Sequence, residues 1–456
     1  MTSSLEQLWS SLSEWVPRQM EKNDVPGVVV GILHGDETYT AGFGVTNVDH
    51  PLSVTDETLF QIGSITKTFT TTALMRLVER DELDLDAPVR TYVPDFRVAD
   101  EAASSQVTLR HIVTHVSGWF GDFFHDTGSG DDAIRKYVAA MADLEQVTPF
   151  GAFWSYNNAG FSLAGYVIET VTGKPYEAAL AELVLEPLGL ERAFFDPGDI
   201  MTYRFAVGHR TSEEGPEVAR PWPLPRSAYP AGGITCSVHD LLRYARFHMG
   251  DGTTEDGTRV LTQDSLALMQ TPQTTIRKDE AIGLSWFLRT IDGTRLVSHG
   301  GGTTGQVSHL ALIPEHHLAI AVFTNADEGN AVTGGVTDRV LEDLLGVKAP
   351  KPEPIEVSEE ELATYAGRYT NPFNDAELGI LNGRLVGQVI YRRGFPSQDS
   401  PPPPPPPPAA LAPCEENRLL VLDGPAKDDT IDILRKPDGT VGWLRMGGRI
   451  LKRQDR

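Results

Sequence analysis

Ser64 and Lys67 stand three residues apart in "QIGSITKTFTTTALMRL", which begins at Gln61. On a helix that spacing makes the two side chains neighbours, ~5–6 Å apart at Cβ. Gly63 can supply a tight turn into such a helix. Ile65, Phe69, Ala73 and Leu77 follow at steps of four, with Leu74 and Val78 beside them, so the helix is expected to be buried. A serine at a helix start has a free backbone N–H for an oxyanion and the positive end of the helix dipole beside it. A buried lysine loses hydration and its pKa falls. The neutral amine can then take the serine proton without a histidine partner. The bland alternative is an N-cap serine beside a solvated lysine. S-x-x-K alone is a weak pattern, and Ser64–Lys67 is its only occurrence in the chain.

Two more groups have the types such chemistry needs. Tyr156 and Asn158 form Y-x-N in "FWSYNNAGFSLAGYVIE", just before a helix expected from Ala159 to about Val171. A tyrosine can share proton transfer with a lysine when positive charge lowers its pKa, and an asparagine amide can donate to a substrate carbonyl. A second Y-x-N, Tyr369-Thr370-Asn371, has no helix behind it and reads as strand-edge packing. In "SHGGGTTG", His299 is expected at the end of a strand, followed by Gly300, Gly301 and Gly302. Glycines there permit close approach to the backbone, and a strand-edge N–H could complete an oxyanion hole with that of Ser64. No Gly-Lys-Ser/Thr follows, which excludes a phosphate loop.

Other chemistry-bearing residues read more plainly. His111 and His115 have the spacing of half a zinc site, but residue 112 is Ile where the general base would stand, so both read as structural and no metal is expected. Trp119, Phe120, Phe123 and Phe124 could wall a substrate cleft or pack a core. No cofactor is expected.

Three regions must position these residues. Residues 1–347 read as one α+β unit. Leu5, Leu8, Leu12, Trp15 and Val16 give an amphipathic first helix. "GVVVGILHGDETYTAGFGVTN" gives two strands turning at Gly35-Asp36. A helix-rich middle runs to about Gly250, strands return from Arg295, and a last helix covers about Ala331 to Leu345. Residues 348–361 form a Pro/Glu-rich, extended linker. From 362 to 456, short strands with Asn-Gly and Asp-Gly turns predict a small sandwich or barrel. The run Pro401–Pro408 inside it must be a polyproline helix. It reads as a stiff loop between strands rather than a ligand for a proline-binding module.

The chain has 456 residues and a formal net charge of -24, with 39 basic against 63 acidic side chains. That argues against nucleic-acid binding and against docking on anionic lipid. Two distant cysteines, Cys236 and Cys414, give no disulfide framework. The N-terminal stretch has neither a basic leader nor a continuous apolar segment, and a cytoplasmic location is expected.

Taken in order, S-x-x-K, Y-x-N and H-x-G resemble the serine β-lactamase and penicillin-binding-protein family, in the branch with class C β-lactamases, D-aminopeptidases and esterases. "VTLRHIVTHVSGW", "LVLEPLGLERAFF" and "PAGGITCSVHDLLRYARF" resemble that family's recurring segments, so the likeness covers about residues 10–345. The final region resembles a lipocalin-like β-domain appended to some members. The resemblance implies an antiparallel sheet flanked by helices, with a helical subdomain. It also implies that Ser64 is acylated and that Lys67 and Tyr156 share acid/base work. Asn158 would orient Lys67 and the substrate amide, and the N–H groups of Ser64 and Gly302 would hold the oxyanion, with Gly301 beside them. His299 stands where many members have the lysine of K-T-G. A histidine is mostly neutral at pH 7, which weakens the case for β-lactams. The expected function is a serine hydrolase working through an acyl-enzyme on a small ester, amide or short peptide, of esterase or D-amino-acid peptidase type. The alternatives are a β-lactamase, an acyltransferase or a non-catalytic scaffold, and self-association is open.

Overall fold

The computed structural model describes residues 4–254, 256–394 and 402–454. Its first region is built on an eight-stranded antiparallel sheet. Two strands come from the N-terminal end, β1 (Gly27–His34) and β2 (Glu37–Gly44). Six come late: β3 (Thr274–Arg277), β4 (Glu280–Ile282), β5 (Phe287–Ile291), β6 (Thr294–Thr303), β7 (Gln306–Ile313) and β8 (Leu318–Thr324). The order is β2-β1-β8-β7-β6-β5-β4-β3, so the helical middle of the chain is an insertion between two parts of one sheet.

Strand β1 is buried along almost its whole length because both sheet faces are covered. Val28, Val30 and Ile32 pack with Leu8, Leu12 and Val16 of α1 (Leu5–Lys22) and with Val336 and Val340 of the late helix Asn330–Val340. Val29 and Leu33 point the other way, into a core shared with Phe69 and Leu74 of α2 (Thr66–Glu79) and Ile168 of α3 (Asn158–Thr172). Period-two alternation thus feeds two cores from one strand. Helix α1 begins at a capping box between Ser4 and Gln7. Asn157 caps α3 by accepting from the Gly160 N–H, and Gly173, at φ +68°, ends it.

The C-terminal region is a closed barrel of eight strands in sequence order: β9 (Gly367–Thr370), β10 (Asn374–Leu381), β11 (Arg384–Tyr391), β12 (Ala409–Glu415), β13 (Arg418–Val421), β14 (Thr430–Arg435), β15 (Val441–Met446) and β16 (Arg449–Arg453). Tyr369, Leu385, Leu419 and Leu444 fill its core. Ahead of it, Ser358 caps a short helix, Glu359–Tyr365, with three glutamates in its first turn. The stretch from Lys348 to Val357 has no regular element, and the Ile355 N–H donates to Pro413 O at 2.7 Å on the barrel wall. Pro402–Pro408 is mostly exposed and leads into β12; Pro401 lies outside the described residues.

The barrel touches the first region mainly through one hairpin, with Phe373 of the β9–β10 turn and Asp432 of β14 adding contacts beside it. Strands β15 and β16 meet at Gly447-Gly448, both with positive φ (+52° and +77°), with Met446 opposite Arg449. Two left-handed residues in a two-residue loop make the turn type that matches strand twist, and glycine takes it without strain. Trp443 Nε1 donates to Val147 O at 3.0 Å. Arg445, 4% exposed, pairs with Asp432 and donates to the carbonyls of Trp154 (3.2 Å) and Ile276 (2.8 Å). Phe373 packs against Phe120 and Phe124.

Candidate active site

Ser64 sits in a single 3-10 turn, Gly63–Ile65, that leads into α2 at Thr66. The sequence predicts a helix starting at Ser64 itself; the extra turn arises because Gly63 takes φ +48° to let the chain bend beneath β6. A Cβ on Gly63 would lie 2.7 Å from the Gly302 nitrogen, and one on Gly301 would lie 1.9 Å from Ile62 O. Neither position tolerates a side chain, and their bareness brings the Gly302 backbone up to Ser64. A Cβ on Gly302 would meet nothing within 4 Å, so that position is open.

Lys67 is wholly buried, as its apolar helix predicts. Its Nζ lies 2.9 Å from Ser64 Oγ and donates to Ala231 O at 2.6 Å. Burial first, then the positive charge of Arg449, hold its pKa well below the usual lysine value. A neutral amine that donates to Ala231 keeps a lone pair for the Ser64 hydroxyl. That pair can move a proton from oxygen to nitrogen.

Tyr156 is also buried, with its ring centroid 5.0 Å from Lys67 Nζ. Burial raises its pKa, while a hydrogen bond with Ser64 and the charge of Arg449 pull it back. Its backbone N–H donates to Gly448 O at 2.8 Å, so a barrel turn holds the segment that carries it. The His115 ring stacks on it at 4.6 Å.

Asn158 is the first residue of α3 and lines the same cavity. Its Nδ2 donates to Asp122 Oδ1 at 2.7 Å. The hydrogen-bond partners of Lys67 Nζ are Ser64 and Ala231, not Asn158. The Asp122 carboxylate is a charge-assisted acceptor and captures the amide.

His299 falls inside β6 rather than at its end, because the strand runs on through the glycines to Thr303. The ring is 1% exposed. Its Nδ1 lies 2.6 Å from Gly300 O and must carry the proton there, which leaves Nε2 as an acceptor without a partner. Burial, and then the Lys67 charge, push its pKa down to about 3, so the ring is neutral at pH 7.

The remaining aromatic and histidine candidates separate cleanly. His115 Nδ1 accepts from the Asn157 N–H at 3.0 Å, and His111 closes a capping box with Thr108. Among the described residues no group of three metal-ligating side chains exists. Trp119 is core; Phe123 and Phe124 line the cavity. Cys236 and Cys414 are free and buried.

Ser64, Tyr156, Asn158, His299, Gly301 and Gly302 thus line one cavity of about 720 Å³, with Lys67 beneath it. Its far wall belongs to the barrel: Asp432, Arg445, Gly447, Gly448 and Arg449. Arg449 Nε lies 2.9 Å from Asp122 Oδ2, and its guanidinium carbon is 4.7 Å from the Tyr156 ring centroid. Motif spacing missed Asp122 and Arg449. "RMGGRI" announces a hairpin with an arginine on each side, but nothing in it says what the hairpin points at.

The Beta-lactamase family matches residues 12–344. The chain belongs to this family. Penicillin-binding protein 4 of Amycolatopsis lactamdurans is 35% identical over 361 residues, which cover 76% of this chain and 94% of that protein. Other curated relatives are longer, and the chain spans about 61% of their length. Among solved structures, "Crystal structure of SurE with D-Leu" matches with a TM-score of 0.76 at 23% identity, over 98% of this chain and 100% of that one. The octameric penicillin-binding protein homologue from Pyrococcus abyssi matches with a TM-score of 0.66 at 25% identity, over 97% and 99%. Both alignments run through the barrel, so the two-part architecture of the β-lactamase-like domain and barrel is shared. No helix among the described residues is long and apolar enough to cross a membrane.

Proposed function

We propose that the protein is a serine hydrolase that forms an acyl-enzyme at Ser64 with small esters, amides or short peptides. The observation that carries this is the buried Lys67 amine 2.9 Å from the Ser64 hydroxyl. In this reading Lys67 takes the Ser64 proton as Oγ attacks the carbonyl carbon. The oxyanion forms against the N–H groups of Ser64 and Gly302. Lys67 and Tyr156 return the proton to the leaving group, and water cleaves the ester intermediate by the reverse relay. Asn158, held by Asp122, presents its amide oxygen to a substrate N–H. His299 offers an acceptor rather than a cation, which supports a reading that favours esters and D-amino-acid amides over β-lactams. The reading includes a cytoplasmic setting and leaves room for self-association, as in the octameric homologue.

A side-by-side assay of p-nitrophenyl acetate, a D-leucyl anilide and a chromogenic cephalosporin tests it. Ester or anilide turnover is expected, with Ser64→Ala inactive. Equal rates in Ser64→Ala and the native protein would overturn the proposal.

A further inference from the structure

Strand β6 carries no cation at the cleft. His299 gives its one proton to Gly300 O, 2.6 Å away, and is neutral in its buried position. Yet a free amine at Lys67 and a tyrosine able to part with its proton both call for positive charge nearby. Arg449 is a cation at the right place, and it comes from the barrel. Its guanidinium carbon lies 4.7 Å from the Tyr156 ring centroid. It is aimed by Asp122, with Nε to Oδ2 at 2.9 Å and Nη2 to Oδ1 at 3.3 Å. Its carbonyl neighbour Gly448 fixes Tyr156 through the backbone.

We propose that Arg449 is the positioning cation of this cleft, supplying from the second domain the charge that β6 lacks. The proposal rests on the acyl-enzyme reading above. Asp122 does not cancel the effect. Arg449 faces the Tyr156 ring directly, while the Asp122 carboxylate is engaged by Arg449 Nε and Nη2 and by Asn158 Nδ2. The other titratable groups facing Lys67 are Tyr156, His115 and His299, and both imidazoles are held neutral by burial. Arg449 therefore acts through Lys67 and Tyr156, keeping the first deprotonated and the second easier to ionise. It explains why the barrel hairpin enters the cleft rather than resting on its rim.

The sign of the test follows. Removing a nearby positive charge raises the Lys67 pKa, and the base works only when neutral, so the acidic limb of the rate profile must move to higher pH. In the full chain, Arg449→Gln is expected to lower kcat/KM for a p-nitrophenyl ester about ten- to a hundredfold, mostly in kcat, and to move the acidic limb up by about one pH unit. Arg449→Lys keeps the limb within a few tenths of a unit. His299→Lys in the Arg449→Gln background recovers at least about tenfold, because it returns a cation to β6. His299→Lys alone leaves the barrel contact intact and moves the limb down, so the test stands even if Arg449→Gln does not fold. An unmoved limb in Arg449→Gln, no recovery in a folded double variant, or no downward shift in His299→Lys would overturn the proposal. A serine-directed probe separates the two claims. Labelling of Ser64 with unmoved limbs defeats only the role of Arg449; no labelling of the native protein defeats the acyl-enzyme reading.

Discussion

Strand β6 and the barrel hairpin β15–β16 face the same cavity, and they bring opposite things to it. β6 brings bare backbone: Gly301 and Gly302 lie against the Ile62–Ser64 segment, and His299 adds a neutral ring. The hairpin brings charge, with Arg445 and Arg449 held by Asp432 and Asp122. β6 is continuous with the main sheet and has its register fixed by β7, with His299 opposite Leu310. The hairpin belongs to another core and reaches the cleft only because Gly447-Gly448 turns tightly enough to enter. The difference teaches that backbone chemistry and charge in one cleft can come from elements built on separate hydrophobic cores.

Four changes sharpen or break this comparison. The largest effect belongs to the first region. Lys67→Ala should cost about 10³-fold or more in kcat on a p-nitrophenyl ester, with the fold intact by circular dichroism. Retained turnover would place the base elsewhere. On the barrel side, Arg445→Met leaves Asp432 only the longer contacts to Arg277 (3.7 Å) and Arg418 (3.8 Å) and should cost about 3 kcal/mol in denaturant unfolding. Because Arg445 also donates to Trp154 O and Ile276 O, the loss should appear first as release of the barrel in limited proteolysis. A smaller cost, about 1–2 kcal/mol, is expected for Gly448→Val, which forces a β-branched residue to φ +77°. Since a Cβ there would lie 3.0 Å from Trp154, kcat should fall with stability; unchanged kinetics would disconnect the turn from Tyr156. The smallest change is Tyr369→Phe, inside the barrel. It removes the hydroxyl that donates to Tyr365 O at 2.7 Å, about 1 kcal/mol, and should leave every kinetic constant alone.

His299 adds a pH test of its own. Its folded pKa of about 3 lies below the ordinary histidine value, so the ring stays neutral through the working range and charges only in acid. Between pH 5 and 8 the rate profile should contain no limb that disappears in His299→Gln. A limb near 6.5 that does disappear would mean the ring is solvated and the cleft more open than described.

Much of the first region was legible because its signals are local. Lys67 sits on a helix whose apolar girth required burial, and the hairpin at Gly35-Asp36 follows from turn chemistry. The barrel was legible as short strands with turns, and its closure into eight strands needed pairing between β9 and β16, which residue pattern does not encode. The Asn158–Asp122 contact was not legible because Asp122 lies 36 residues away and is itself paired with Arg449, 327 residues away. Such contacts are set by tertiary approach of two cores, and no periodicity reports them. The 3-10 turn at Ser64 was hidden for a similar reason: Gly63 bends to meet a backbone more than two hundred residues further on, at Gly302.

The central claim is that Ser64, activated by a buried neutral lysine, is the residue that becomes acylated. The most direct measurement is intact mass and peptide mapping after reaction of the full chain with a fluorophosphonate. One adduct per chain on the peptide containing Ser64, absent in Ser64→Ala and strongly slowed in Lys67→Ala, is the predicted result. An adduct that persists in Ser64→Ala, or a folded native protein that takes up none, would contradict the account.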